Sequence, residues 1–160
     1  MALVHDLAEA YVGDITPLEG VPSHVKFELE EQAMKSFLNE MLSGDGNAQA
    51  RDRFRSLWYE YEARETPEAK LVKDLDRLEL IVQAVEYEKS QDIRTLKTFY
   101  TGSIPHLEHP AIRKMAESVI AEREALWEAR GADDMKVELE GTAVGSAVDA
   151  RKQTAANGDA

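Results

Sequence analysis

The sequence predicts an all-α fold. Helical spacing of apolar residues dominates the chain, strand signals are nearly absent, and Gly and Pro clusters separate the periodic segments. The 160 residues, 43% of them apolar, suit one domain with a single core.

Each element follows from local signals. Residues 1–11 carry apolar side chains around most of a helical circumference, which predicts a buried helix. Gly13, Pro17, Gly20 and Pro22 make the next segment a structured loop. Ser23 reads as the N-cap of a helix to about Leu42, with Val25, Phe27, Leu29, Ala33, Met34, Phe37, Leu38 and Met41 as its apolar stripe. Residues 43–47 form a turn, and a helix over 48–63 follows, with Phe54, Leu57, Trp58 and Tyr61 at helical spacing. Thr66-Pro67 pairs a capping hydroxyl with a proline at the first helical position. That helix is expected to reach about Lys89 and to bury Leu71, Leu75, Leu78, Ile81, Val82 and Val85. A short helix is expected over 95–100, and a last one from Pro110 to near Arg130. From Gly131 aromatics vanish and periodicity fades, so 131–160 reads as a disordered tail after a domain over 1–130.

Composition narrows the function. With no cysteine, disulfides and thiolate metal sites are excluded, which fits a reducing compartment, the cytoplasm or else the nucleus. The net charge of −12 should repel nucleic-acid backbones and anionic membranes. The opening apolar stretch is interrupted by His5, Asp6 and Glu9, unlike a secretory signal, and no apolar run has the length of a membrane span.

Chemistry concentrates in the string from His5 to Pro17. His5 and Asp6 are adjacent donors able to reach one divalent cation, and on a helix Glu9 stacks one turn from His5. Gly13 is a stop signal with Asp14 directly after it. The pattern reads as an acidic metal pocket at the end of a helix. A bare His-Asp pair is commonplace; the extended string is far more specific.

That string resembles the HD-domain phosphohydrolases, in particular their 5'-deoxynucleotidase branch. Residues 30–34, 57–62 and 69–76, and the pair His109-Pro110, follow in the family's order and rough spacing, and the similarity covers roughly residues 1–127. The resemblance implies an HD-domain helical bundle and a metal-dependent phosphomonoesterase that releases phosphate from deoxyribonucleoside 5'-monophosphates. Carried over, the metal ligands are His5, Asp6 and Asp76. Asp74 competes for the last place, and Asp76 is preferred because the family's Lys-x-x-Asp spacing matches Lys73 and Asp76. Asp76 also reads as a helix-surface carboxylate paired with Lys73 or Arg77. Imidazole and carboxylate donors suit Mn, Co, Mg, Fe, Ni or Zn alike. Glu9 is the candidate general acid or base, and Asp14 a proton donor or a ligand to a second ion. Asp14 also reads as a loop cap on amides near Thr16. Lys73 offers a positive charge for the phosphate or an ion pair with Asp76 or Asp74. Glu31 reads either as a further member of the acidic pocket or, in preference, as a surface residue, and His106 and His109 either as a second metal cluster or, in preference, as structural.

The family's first metal histidine lies on a helix upstream of the His-Asp pair, and no residue here matches it: His24, His106 and His109 stand in the wrong context. The chain is therefore expected to be N-terminally truncated. Two rival readings stand beside the main one: an HD hydrolase of another nucleotide or phosphate ester, and a decayed HD domain without catalysis. The expected partner is a small nucleotide monophosphate, with neither nucleic acid nor membrane; relatives of this branch are often homodimers.

Overall fold

In a computed structural model, residues 1–16, 19–137 and 139 are described. Among them the fold is all-α, with no strand. The helices are α1 (Glu9–Val12), α2 (Ser23–Met41), α3 (Ala48–Ala63), α4 (Pro67–Gln91), α5 (Lys97–Ser103) and α6 (Pro110–Ala129). Short 3-10 turns occupy Asp45–Asn47, Ile104–His106 and Asp133–Met135. No helix among the described residues is long and apolar enough to cross a membrane. Among the described residues the chain divides into two compact units, one over Met1–Val72 and one from Lys73 onward.

In the first unit the opening segment departs from the expected helix. Residues 2–8 are consecutive turns, and only Glu9–Val12 is α-helical. The amides of Val4, Leu7, Glu9, Ala10 and Tyr11 each bond the carbonyl three residues back, the tighter 3-10 pattern. Nor is the segment buried all round: Val4 and Ala8 are buried, but Leu3 is 91% exposed. One face alone meets the core, formed by Val4, Ala8, Ala33, Met34, Leu38 and Trp58 with Leu7, Val12, Phe37, Leu42, Phe54 and Leu57 packed against it. Gly13 ends α1 at φ +74, a conformation that favours glycine.

α2 begins at the expected Ser23, but as its first helical residue. The cap position is Pro22, whose carbonyl accepts the Lys26 amide at 3.0 Å. α2 lies against α1 and α3. Arg51 closes the α2–α3 turn by donating to the carbonyls of Leu42 and, at 2.9 Å, Gly44. α3 has the expected bounds and buries Trp58 and Tyr61, with Phe27 stacked on Trp58 at 5.6 Å. The Thr66 hydroxyl accepts the Ala69 amide at 3.2 Å, so α4 starts where Thr66-Pro67 predicts.

In the second unit the buried stripe of α4 differs from its apolar letters. Leu75 and Val82 are 43% and 39% exposed, while Asp74, Ile81, Ala84, Val85 and Glu88 are buried. Burial follows the helical period through two carboxylates, because both have strong partners. Glu88 accepts from Arg123 Nη2 at 2.9 Å and from the Trp127 indole N–H at 2.8 Å. Arg123 Nε lies 2.7 Å from the other Glu88 oxygen, Nη1 donates to the Met135 carbonyl at 2.8 Å, and the guanidinium stacks 4.4 Å from the Tyr100 ring. Burial beside Glu88 pushes the Tyr100 hydroxyl's pKa well up.

α6 ends in a Schellman motif. Gly131, at φ +65, donates to the Glu128 carbonyl, and Ala132 donates to that of Trp127. The accompanying apolar contact joins Trp127, Ala132 and Met135. Ala132, Met135, Val137 and Leu139 are buried, so the expected tail does not begin at Gly131: the polar-looking letters hide a motif that folds back on α6. The rest of that tail, from residue 140, lies outside the described residues.

Removing one partner of the buried pair leaves the other charged and unpaired, which costs about 3–5 kcal/mol. Glu88→Ala is expected to lose stability of that order in urea unfolding; a loss under about 1 kcal/mol would contradict the network's role.

Candidate metal centre

The turn that carries His5 and Asp6 is fixed by its neighbours in sequence. Val4 and Ala8 are held in the core, and His5 and Asp6 lie between them. The imidazole edge meets the Tyr61 ring, centroids 4.9 Å apart, and Nδ1–H donates to the Ala2 carbonyl at 2.9 Å. This tautomer directs the other ring nitrogen outward. Nε2 lies 2.9 Å from Asp6 Oδ2; the His5 side chain is 15% exposed and that of Asp6 54%.

The 3-10 winding changes the partner of Glu9. With about three residues per turn, positions three apart eclipse, so Glu9 aligns with Asp6 rather than with His5 as an α-helix would have it. The Glu9 amide donates to the Asp6 carbonyl at 3.0 Å. Burial raises the Glu9 pKa above the usual glutamate value, and the negative charges of Asp6, Asp14 and Glu30 push it the same way, while Lys26 opposes them. Asp14 is thus a neighbour of Glu9 but exposed. It is not the loop cap: the Thr16 amide donates to Glu19 Oε1 at 3.1 Å.

Two residues of this cluster escaped the sequence reading. Lys26 donates to the Ile15 carbonyl at 2.8 Å, and its Nζ lies 3.4 Å from Glu30 Oε1. Glu30, not Glu31, is the buried acid of α2; Glu31 bonds Tyr59 and pairs with Lys35 at 2.8 Å. Helical spacing could have found Lys26 and Glu30, since they are four residues apart and one turn of helix aligns them.

On α4, Asp74 and Asp76 have different tasks. Asp74 is buried, and its Oδ2 accepts the amides of Glu108 and His109 at 2.7 and 2.6 Å. Arg77 adds a contact to Asp74 at 3.3 Å and donates to the His106 carbonyl at 2.7 Å. Asp74 therefore anchors the start of α6, which His109 caps by accepting the Ala111 amide. The His109 ring thus caps α6, and His106 contributes its backbone carbonyl. Lys73 Nζ donates to Asp76 Oδ2 at 2.7 Å, the ion pair that stood as the alternative to a phosphate contact.

His5 Nε2 and Asp6 Oδ2, 2.9 Å apart, are an imidazole and a carboxylate donor of the kind that suits a borderline or hard divalent cation.

An all-α chain with an adjacent His-Asp pair in its opening turn has the form of an HD domain. The chain belongs to that family: the HD domain model matches residues 1–114. Its relatives include 5'-deoxynucleotidase hdd1 of Schizosaccharomyces pombe, 38% identical over 79% of this chain and 64% of its own length. The 5'-deoxynucleotidases HDDC2 of Bos taurus and Homo sapiens are 41% and 40% identical, over 78% and 77% of this chain and 59% and 58% of their own. The chain thus spans about three fifths of the length of these relatives.

The raised Glu9 pKa has a signed consequence for stability. A carboxyl with a folded pKa above its unfolded one favours folding fully below the unfolded value, and that contribution is lost as pH rises through the folded value. Glu9→Gln is therefore expected to raise the melting temperature of the metal-free protein at neutral pH, with the gain shrinking toward zero below the ordinary glutamate value of 4.5. Scanning calorimetry between pH 4 and 8 checks this. A gain that persists undiminished at the acid end would contradict it.

Proposed function

We propose that this chain is a metal-dependent phosphomonoesterase that hydrolyses deoxyribonucleoside 5'-monophosphates to deoxynucleoside and phosphate. The observation that carries the reading is the His5–Asp6 pair, its donor atoms 2.9 Å apart, in a chain of the HD-domain family that is similar to proteins named 5'-deoxynucleotidases. His5 Nε2 and the carboxylates of Asp6 and Asp76 are the metal ligands. A divalent cation held there supplies a Lewis acid that activates water and withdraws charge from the phosphoryl group.

The remaining roles belong to the chain's own groups. Glu9, whose pKa is raised by burial and by its acidic neighbours, is the candidate to take and return a proton. Asp14 stands beside it as a second carboxylate for water or for the leaving 5'-oxygen. Lys73 balances Asp76 through its ion pair and can turn its ammonium toward a phosphate oxygen.

The test is phosphate release from deoxy- and ribonucleoside mono- and triphosphates with added Mn or Co, comparing the protein with Asp76→Ala. Release from deoxynucleoside monophosphates is expected, with Asp76→Ala at least ~100-fold slower. Equal background rates for both proteins would defeat the catalytic reading. Release from triphosphates alone would favour a different nucleotide substrate.

A further inference from the structure

We propose that Lys26 is a positioning residue for the proton-transferring carboxylates, clamping the backbone at Asp14–Ile15 to the first turn of α2 so that Asp14 stays beside Glu9. The proposal rests on the hydrolase reading above. Lys26 belongs to the opening turn of α2, with its amide on the Pro22 carbonyl. Its ammonium spans to the loop after α1 and donates to the Ile15 carbonyl at 2.8 Å. One helical turn on, the carboxylate of Glu30 faces the same ammonium at 3.4 Å and is almost wholly buried. Glu30 therefore aims the lysine instead of leaving it to solvent.

The loop leaves α1 through Gly13 at φ +74, and Gly20, at φ +68, lies further along. The Thr16–Glu19 bonds tie the loop only to itself. The Lys26–Ile15 bond reaches out to a helix and falls one residue after Asp14. Ile15 is buried, so the bond and the apolar contact act on the same residue.

The experiment compares wild type, K26M and K26R by three readouts: hydrogen exchange of the amides at 14–16 with α3 as internal reference, kcat and KM for a deoxynucleoside monophosphate at saturating Mn, and Mn affinity by calorimetry. Loss of one charged hydrogen bond is expected to speed exchange at 14–16 by ~10-fold and lower kcat by a similar factor. KM, Mn affinity and exchange in α3 should change little, and K26R should recover most of the loss. Unchanged exchange at 14–16, equal impairment of K26M and K26R, or a loss spread evenly through α3 would each overturn the proposal. If the wild type releases no phosphate while the exchange difference persists, the hydrolase reading fails first, and Lys26 is reduced to a loop clamp without a catalytic task.

Discussion

The arrangement at this site depends on a conflict between packing and charge in the turn from Val4 to Glu9. Val4 and Ala8 must be buried for the first unit to have a core. Burying them fixes Asp6 between them and, through the i→i+3 winding, sets Glu9 over Asp6. Asp14 and Glu30 add to the same negative field, and Lys26 offsets part of it. Like charges brought together in partly desolvated surroundings are costly unless a counter-charge joins them. A divalent cation would be such a counter-charge, and His5 and Asp6 carry donors of the kind it takes. The acidity of the chain as a whole says little; the acidity of this turn says a good deal.

Away from the turn, carboxylates serve as structural pins. Asp74 holds two backbone amides at the entry to α6, and Glu88 neutralises a buried arginine and satisfies an indole. Both lie on the buried face of α4, and Asp76 shares that helix. A single residue, Leu75, separates a structural aspartate from a candidate ligand two positions on. On a helix that step turns the side chain through about 200°, enough to give neighbouring carboxylates unrelated environments.

Much of this was legible in the sequence, and the failures share a cause. The all-α class, the bounds of α3, the start of α4 at Thr66-Pro67 and the start of α6 at Pro110 follow from local chemistry of caps and turns, which needs no partner. The His-Asp string identified the family because its spacing is dense in donors. The errors arose where a residue's burial is decided by a distant partner. Apolar spacing placed Leu75 and Val82 inside α4's face and left out Asp74 and Glu88, since nothing in the letters announces Arg123, Trp127 or the amides at 108 and 109. Glu30 was passed over for Glu31, and Lys26 was missed, because both gain their place from the loop that precedes them. The tail boundary slipped because Gly131 signals a helix end, and only the Ala132–Trp127 contact shows that the chain folds back.

Cation affinity in three proteins tests the central claim most directly: wild type, Asp74→Asn and Asp76→Asn, titrated with Mn in a calorimeter. If His5, Asp6 and Asp76 share one ion, Asp76→Asn loses binding by at least ~10-fold while keeping its helical content. Asp74→Asn instead melts at lower temperature and binds Mn like the wild type. Undiminished Mn affinity in Asp76→Asn would contradict the account.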